Sequence, residues 1–125
     1  MKRLFLDTNV LLDVFLGRKP FVLDAVALVK VIDQAGVQGC VSLLSIAVVH
    51  YVVRKQAGIE AAGRAVGAIA DTFLVTATSA YVLKKALAMP IRDFEDALQA
   101  AIALEAGCEA IITRNVRDFP GSPLP

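Results

Sequence analysis

Three aspartates, Asp7, Asp96 and Asp118, and the amide Asn115 are the residues of this chain best placed to do chemistry together. Asp7 directly follows the apolar run Leu4-Phe5-Leu6. Thr113-Arg114-Asn115 directly follows Ala110-Ile111-Ile112, and Asp118 comes shortly after. Asp96 falls in the first turn of the apolar-periodic segment that leads into that second run. Carboxylates gathered in a cleft repel one another, and in an empty site one or more of their pKa values rises. A divalent cation removes that penalty. Mg²⁺ prefers oxygen ligands, usually takes one or two carboxylates and keeps several waters. Once bound it lowers the pKa of a water and neutralises charge on a phosphoryl oxygen. The chain offers a single histidine, His50, and no Cys/His spacing suited to zinc. An aspartate cluster of this kind suits phosphodiester hydrolysis; it names no substrate.

For these residues to meet, the ends of distant strands must lie side by side. Leu4-Phe5-Leu6 reads as a buried strand that stops at Asp7. Val10 to Leu16 reads as a helix ended by Gly17. Pro20 fits the first turn of a second helix, whose apolar positions Phe21, Ala25, Leu28, Val29 and Ile32 recur at helical spacing before Gly36. Gly39-Cys40-Val41-Ser42 reads as a second strand, followed by helices from about Leu44 to Lys55 and from Ile59 to about Ala70. Gly63 and Gly67 weaken the latter. Phe73-Leu74-Val75-Thr76 is a third strand, and Ser79 caps a helix ending near Met89. Asp93 to Glu105 is a strong helix with Gly107 as its stop, and Ala110-Ile111-Ile112-Thr113 is a fourth strand. Strands alternating with helices predict an α/β fold, a central parallel sheet of four or five strands with helices on both faces. Ligands of such sheets bind beyond the carboxyl ends of the strands, where the acids fall.

Composition narrows the class. With 125 residues, 57% hydrophobic and 20% charged, the chain is expected to fold as a single domain over 1–125 with a sizeable core. Its net charge of +1 provides no global basic field, so contact with nucleic acid would need a local patch. Arg114 and Arg117, beside the candidate site, are the better candidates for gripping a phosphate backbone; Arg54-Lys55 and Lys84-Lys85 read equally well as solvated helix faces. Cys40 and Cys108 lie far apart in apolar runs and read as reduced core thiols. No apolar run reaches the length of a membrane span, and Met1-Lys2-Arg3 precedes too short an apolar stretch to be a signal peptide, so a cytoplasmic protein is expected.

Three stretches resemble the PIN-domain family. Leu6-Asp7-Thr8-Asn9-Val10-Leu11-Leu12-Asp13 is similar to its opening motif, Asp93-Phe94-Glu95-Asp96-Ala97-Leu98-Gln99-Ala100-Ala101 to the segment holding its third acidic residue, and Thr113-Arg114-Asn115-Val116-Arg117-Asp118-Phe119 to its closing motif. The resemblance implies a parallel sheet flanked by helices, a site that binds Mg²⁺ or Mn²⁺, and ribonuclease activity. Many small bacterial members are toxins of type II toxin–antitoxin modules, so it also implies an antitoxin partner and a homodimer. Carried over, Asp7 and Asp96 would be the principal metal ligands. Asn115 stands where many members have Asp, and Asp118 in the Arg-Asp-Phe ending is a candidate for supplying the charge instead. Members with the full acidic set carry Glu on the third helix; here Val48 stands at that place, with Ser45 and Tyr51 on its face. Many members also continue into a last strand after the closing motif, whereas this sequence runs into Ser122-Pro123-Leu124-Pro125.

Each residue also has a plainer reading. Asp7 could cap a helix beginning near Asn9; Thr8 and Asn9 then cap and orient, with the Thr8 hydroxyl a candidate for holding the Asp7 carboxylate. Asp96 could be a first-turn acid favoured by the helix dipole. Asp93 shares its face and is either the N-cap or a support for Asp96, and Thr113 is a support at the strand end. Glu95 is expected to point elsewhere, Asp13 to be a surface charge, and His50 to have a partly buried structural role. Two rivals remain. One is a degenerate PIN domain that binds RNA or a protein without cutting. The other is a different aspartate-based α/β enzyme; against it, Asn9 stands where a haloacid-dehalogenase nucleophile motif needs a second Asp, and neither a receiver's acidic pair with lysine nor a P-loop is found.

Overall fold

In a computed structural model, residues 2–34 and 36–113 are described. Strands β1 (Arg3–Leu6), β2 (Gln38–Ser42), β3 (Leu74–Thr76) and β4 (Ala110–Ile112) alternate with helices α1 (Thr8–Leu16), α2 (Val22–Gln34), α3 (Leu43–Ala57), α4 (Ile59–Thr72), α5 (Ala80–Ala88) and α6 (Phe94–Glu105). The four strands form one sheet in the order β3-β2-β1-β4, with every neighbouring pair parallel. The α/β expectation of a parallel sheet flanked by helices therefore holds, with four strands among the described residues. β1 is a central strand, so its carboxyl end, and Asp7 with it, lies in the middle of the sheet edge.

Alternation along the strands sorts the core into two layers. Phe5 and Cys40, paired in register, face α5 and α6 together with Ile111 and Leu74. Leu6 and Val41 face the opposite way, with Ile112 and Val75, onto α1, α2, α3 and α4. The α6 side is lined by small residues, Ala97, Ala100, Ala101 and Ala103, which lets that helix lie close against the sheet. Both cysteines are free and buried in this layer. Burial, with the neighbouring thiol, pushes the Cys108 thiol up to about 12, which keeps it protonated and unreactive.

Helix ends follow the expected chemistry. Asp7, Ser42, Ser79 and Asp93 are the side-chain N-caps of α1, α3, α5 and α6. Gly17 ends α1 in the left-handed conformation, at φ 60°. Two expectations need correction. Pro20 precedes α2 instead of occupying its first turn, since the helix begins only at Val22. Phe21, expected on the buried stripe of that helix, consequently lies outside it and is 39% exposed.

One close approach in β2 is testable. A Cβ on Gly39 would lie 2.7 Å and 3.0 Å from two ring carbons of Phe73. Gly39→Ala should therefore cost about 1–3 kcal/mol through overpacking, read as a lower urea midpoint. Adding Phe73→Leu should recover part of the loss; equal loss in the presence and absence of the ring would refute this account.

Candidate active site

Asp7 is nearly fully buried, at 5% exposure, and is held from both sides. Its backbone N–H donates to the Ile112 carbonyl at 2.9 Å, which continues the β1–β4 ladder, and its own carbonyl accepts from the Val10 N–H at 3.1 Å, which begins α1. Its carboxylate oxygens are divided. Oδ1 accepts the Thr8 backbone N–H at 2.9 Å, and Oδ2 accepts the Thr113 hydroxyl at 3.0 Å. A buried carboxylate is costly unless compensated. Here two hydrogen bonds and the positive end of α1 do the compensating. Asp7 is thus a helix cap, and its burial at the carboxyl end of a central strand goes well beyond what a cap needs.

Thr8 corrects an expectation. Its backbone, not its hydroxyl, holds Asp7, and the hydroxyl that does so belongs to Thr113. The Thr8 hydroxyl instead turns inward to Ser45 Oγ at 2.7 Å and accepts from Gln99 Nε2 at 2.7 Å. Asn9 lies at the rim, where its Oδ1 accepts from Arg18 Nη1 at 3.4 Å. Asp93 is the N-cap of α6, with Oδ1 accepting the Asp96 N–H at 3.0 Å, so the capping alternative is realised. Asp96 is half-buried in the first turn of α6.

One acid differs from expectation. Asp13 is not a surface charge: it is only 2% exposed, because α1 is covered by both α2 and α3, and it borders a cavity of about 160 Å³ beside Thr113. Glu95 is exposed. Partial burial, then the charges of Asp93 and Asp7, raise its pKa, so the first turn of α6 lies within electrostatic reach of Asp7. A carboxyl bound more tightly to its proton in the folded state weakens that state when it ionises. Its contribution is present below the unfolded value near pH ~4.3 and is lost as pH rises through the folded value. Glu95→Gln should therefore raise the Tm of chelator-treated protein at neutral pH by about a degree or two, given its exposure, and leave it unchanged near pH ~3.5. A gain that persists in acid would rule out the electrostatic cause.

Asp118, Asn115, Arg114 and Arg117 lie outside the described residues. Val48 is half-buried on α3; one turn before it Ser45 is fully buried, and one turn after it Tyr51 is 60% exposed beneath Lys55. His50 is half-buried. Lys85 lies over the Tyr81 ring and near Glu105, as a solvated helix face would have it.

The donors offered by Asp7 and by the first turn of α6 suit a hard cation. They are oxygens, from Asp7 and Asp96 with Glu95 nearby, and both cysteines are buried in the α6 layer of the core. Among the described residues no group of three or more His, Cys, Asp or Glu is placed to hold a metal. Carboxylate oxygens with water completing the shell are nevertheless what Mg²⁺ commonly takes, so the donor chemistry of the residues present fits such an ion.

The carboxyl-edge acid on a parallel sheet, with the acidic first turn of α6 within electrostatic reach, defines a class. The PIN domain model matches residues 3–117, and the chain belongs to the PIN domain family. Solved structures agree on the fold. The VapC20 toxin of Mycobacterium tuberculosis, described as cleaving the sarcin–ricin loop, superposes with a TM-score of 0.75 at 15% identity, covering 98% of this chain and 96% of its own. VapBC2 of Rickettsia felis, solved with a DNA fragment from its promoter, gives a TM-score of 0.70 at 17% identity, covering 97% and 93%. A toxin–antitoxin complex from Klebsiella pneumoniae gives 0.71 at 25% identity, covering 95% and 92%. No curated protein is significantly similar in sequence.

Gln99 was not singled out from the sequence, yet its amide makes three side-chain hydrogen bonds beside the site. Its Oε1 accepts from Ser42 Oγ at 2.8 Å, and its Nε2 donates to Thr8 Oγ1 at 2.7 Å and to Ser45 Oγ at 2.6 Å. The available signal was its position one turn after Asp96, on the same face.

Proposed function

We propose that this chain is an endoribonuclease that uses Mg²⁺ or Mn²⁺ and acts as the toxin of a toxin–antitoxin pair. The observation that carries the reading is the buried Asp7 carboxylate at the carboxyl end of the central strand, within electrostatic reach of the acidic first turn of α6. Membership of the PIN domain family supports a nuclease. The M. tuberculosis neighbour is described as a toxin cleaving the sarcin–ricin loop, and the K. pneumoniae neighbour is a toxin–antitoxin complex, which supports an RNA substrate and an antitoxin partner. The proposal extends to one domain over 1–125, a homodimer and a cytoplasmic location. Among the described residues no helix is long and apolar enough to cross a membrane.

In this reading Asp7 and Asp96 hold the cation, Asp118 adds charge and Asn115 adds a neutral oxygen. When bound, the cation supplies acidity to a water and neutralises charge on the phosphodiester. Thr113 and the Thr8 backbone keep the Asp7 oxygens at fixed bearings. Asp93 fixes the start of α6, Asn9 accepts from Arg18 at the rim, and Arg114 and Arg117 grip the RNA backbone.

A second reading has one observation behind it. Val48 contributes no carboxylate from α3, which favours a domain that binds RNA or a protein without cutting it. Incubation of a mixed RNA pool with the purified protein separates the two. It should cut with Mn²⁺ or Mg²⁺, fail with EDTA, and fail in the Asp7→Asn, Asp96→Asn double variant. No cutting by the folded wild type, with no heat on Mn²⁺ titration, would favour the binding-only domain; cutting gained by Val48→Glu would point to an enzyme weakened by that loss.

A further inference from the structure

We propose that Gln99 is a positioning residue that sets the bearing of Asp96 to Asp7 through a closed, uncharged hydrogen-bond ring. The proposal rests on the metal-site reading above. Gln99 is fully buried, as are Ser42 and Ser45, and Thr8 is 4% exposed. These four side chains come from α6, the end of β2, α3 and α1. The Gln99 amide has two N–H donors, and each is used, one on Thr8 and one on Ser45. Its carbonyl oxygen takes the Ser42 hydroxyl. The Thr8 and Ser45 hydroxyls close the ring on one another at 2.7 Å, while Ser42 Oγ also lies 3.1 Å from Ser45 Oγ, its single proton shared between Ser45 and Gln99. Ser42 also accepts the Ser45 backbone N–H at 2.9 Å as the cap of α3.

Filling this space with apolar side chains would pack as well, and buried polar groups are costly unless every one is satisfied. What directional bonds add is a fixed relative placement of the elements that carry them. The path is short. Asp96 lies one turn before Gln99, Gln99 bonds Thr8, and the Thr8 backbone N–H bonds Asp7. The amide is neutral, so it sets this spacing without adding charge to an acidic edge. α3 joins the ring through Ser45 while Val48, one turn on, offers no ligand. The helix that lacks the carboxylate therefore serves the site by placement.

The test uses the full chain. Gln99→Met keeps length and approximate volume but removes all three amide hydrogen bonds. Thr8→Val removes one hydroxyl, and Thr8→Ser keeps it. Mn²⁺ affinity is read by calorimetry, and kcat and KM by RNA cleavage, with circular dichroism to check the fold. Gln99→Met and Thr8→Val should lose about 10–100-fold in Mn²⁺ affinity and kcat, with KM for RNA little changed, and Thr8→Ser should recover most of the loss. A folded Gln99→Met that binds Mn²⁺ and cuts like wild type would overturn the proposal. If Gln99→Met does not fold, equal kcat in Thr8→Val and Thr8→Ser would overturn it. A wild type that neither binds Mn²⁺ nor cuts would remove the metal-site reading first, and this proposal with it.

Discussion

Asp7→Asn should abolish most cleavage while leaving the fold standing. Asparagine is as good an N-cap as aspartate, and its side-chain oxygen can still accept the Thr8 N–H. The variant therefore removes the charge and keeps the cap. A bound cation is worth several kcal/mol to a phosphoryl-transfer transition state, and each ~1.4 kcal/mol is tenfold, so kcat/KM should fall by about 10²–10⁴. Tm should hold or rise slightly, because a buried charge has been removed. Asp7→Ala makes the contrast: it also loses the cap, about 1 kcal/mol, and leaves the Thr113 hydroxyl without its acceptor. Single-turnover cleavage at saturating Mn²⁺, set beside thermal melts, reads both effects. Retained cleavage in Asp7→Asn would reduce Asp7 to a cap.

The largest expected effect on stability is at Phe5. It is fully buried in the central strand, paired with Cys40 on one side and Ile111 on the other, under the alanine face of α6. Phe→Ala in a core costs about 3–5 kcal/mol, depending on how far the surroundings collapse. Alanines cannot swing into the space, so Phe5→Ala should fall at the upper end. That is a large share of the ~5–15 kcal/mol that holds a typical domain. Chemical denaturation should show it, with Phe5→Leu much milder. A Phe5→Ala loss below ~2 kcal/mol would mean that the sheet and α6 close up more freely than this packing allows.

The architecture was legible because its signals are local and periodic. Leu4-Phe5-Leu6 with Asp7, and Asp93 with Gly107, announce a strand end and a helix within a few residues, and the structure places them so. Asp7 was legible for the same reason, since an acid at a strand end needs no distant information. What was not legible depended on three-dimensional cover. Asp13 reads as a surface charge on one amphipathic helix, until α2 and α3 lie on either side of it. Gln99 reads as an ordinary polar residue amid alanines, because its three partners come from 54 to 91 positions away. The direction of the Thr8 hydroxyl could not be foreseen either: backbone and side chain of one residue serve different partners. Asn115 and Asp118 lie outside the described residues, so their part in the site stays a proposal.

The β1–β4 pairing has a consequence in time. One partner of β1 is Ala110–Ile112, and the hydroxyl that holds Asp7 belongs to Thr113, 106 positions later in the chain. Such distant pairing gives a high contact order and slow closure. A growing chain displays Asp7 long before it can display Thr113. The proposed nuclease site is thus incomplete until the chain through Thr113 has been made and β4 has paired with β1.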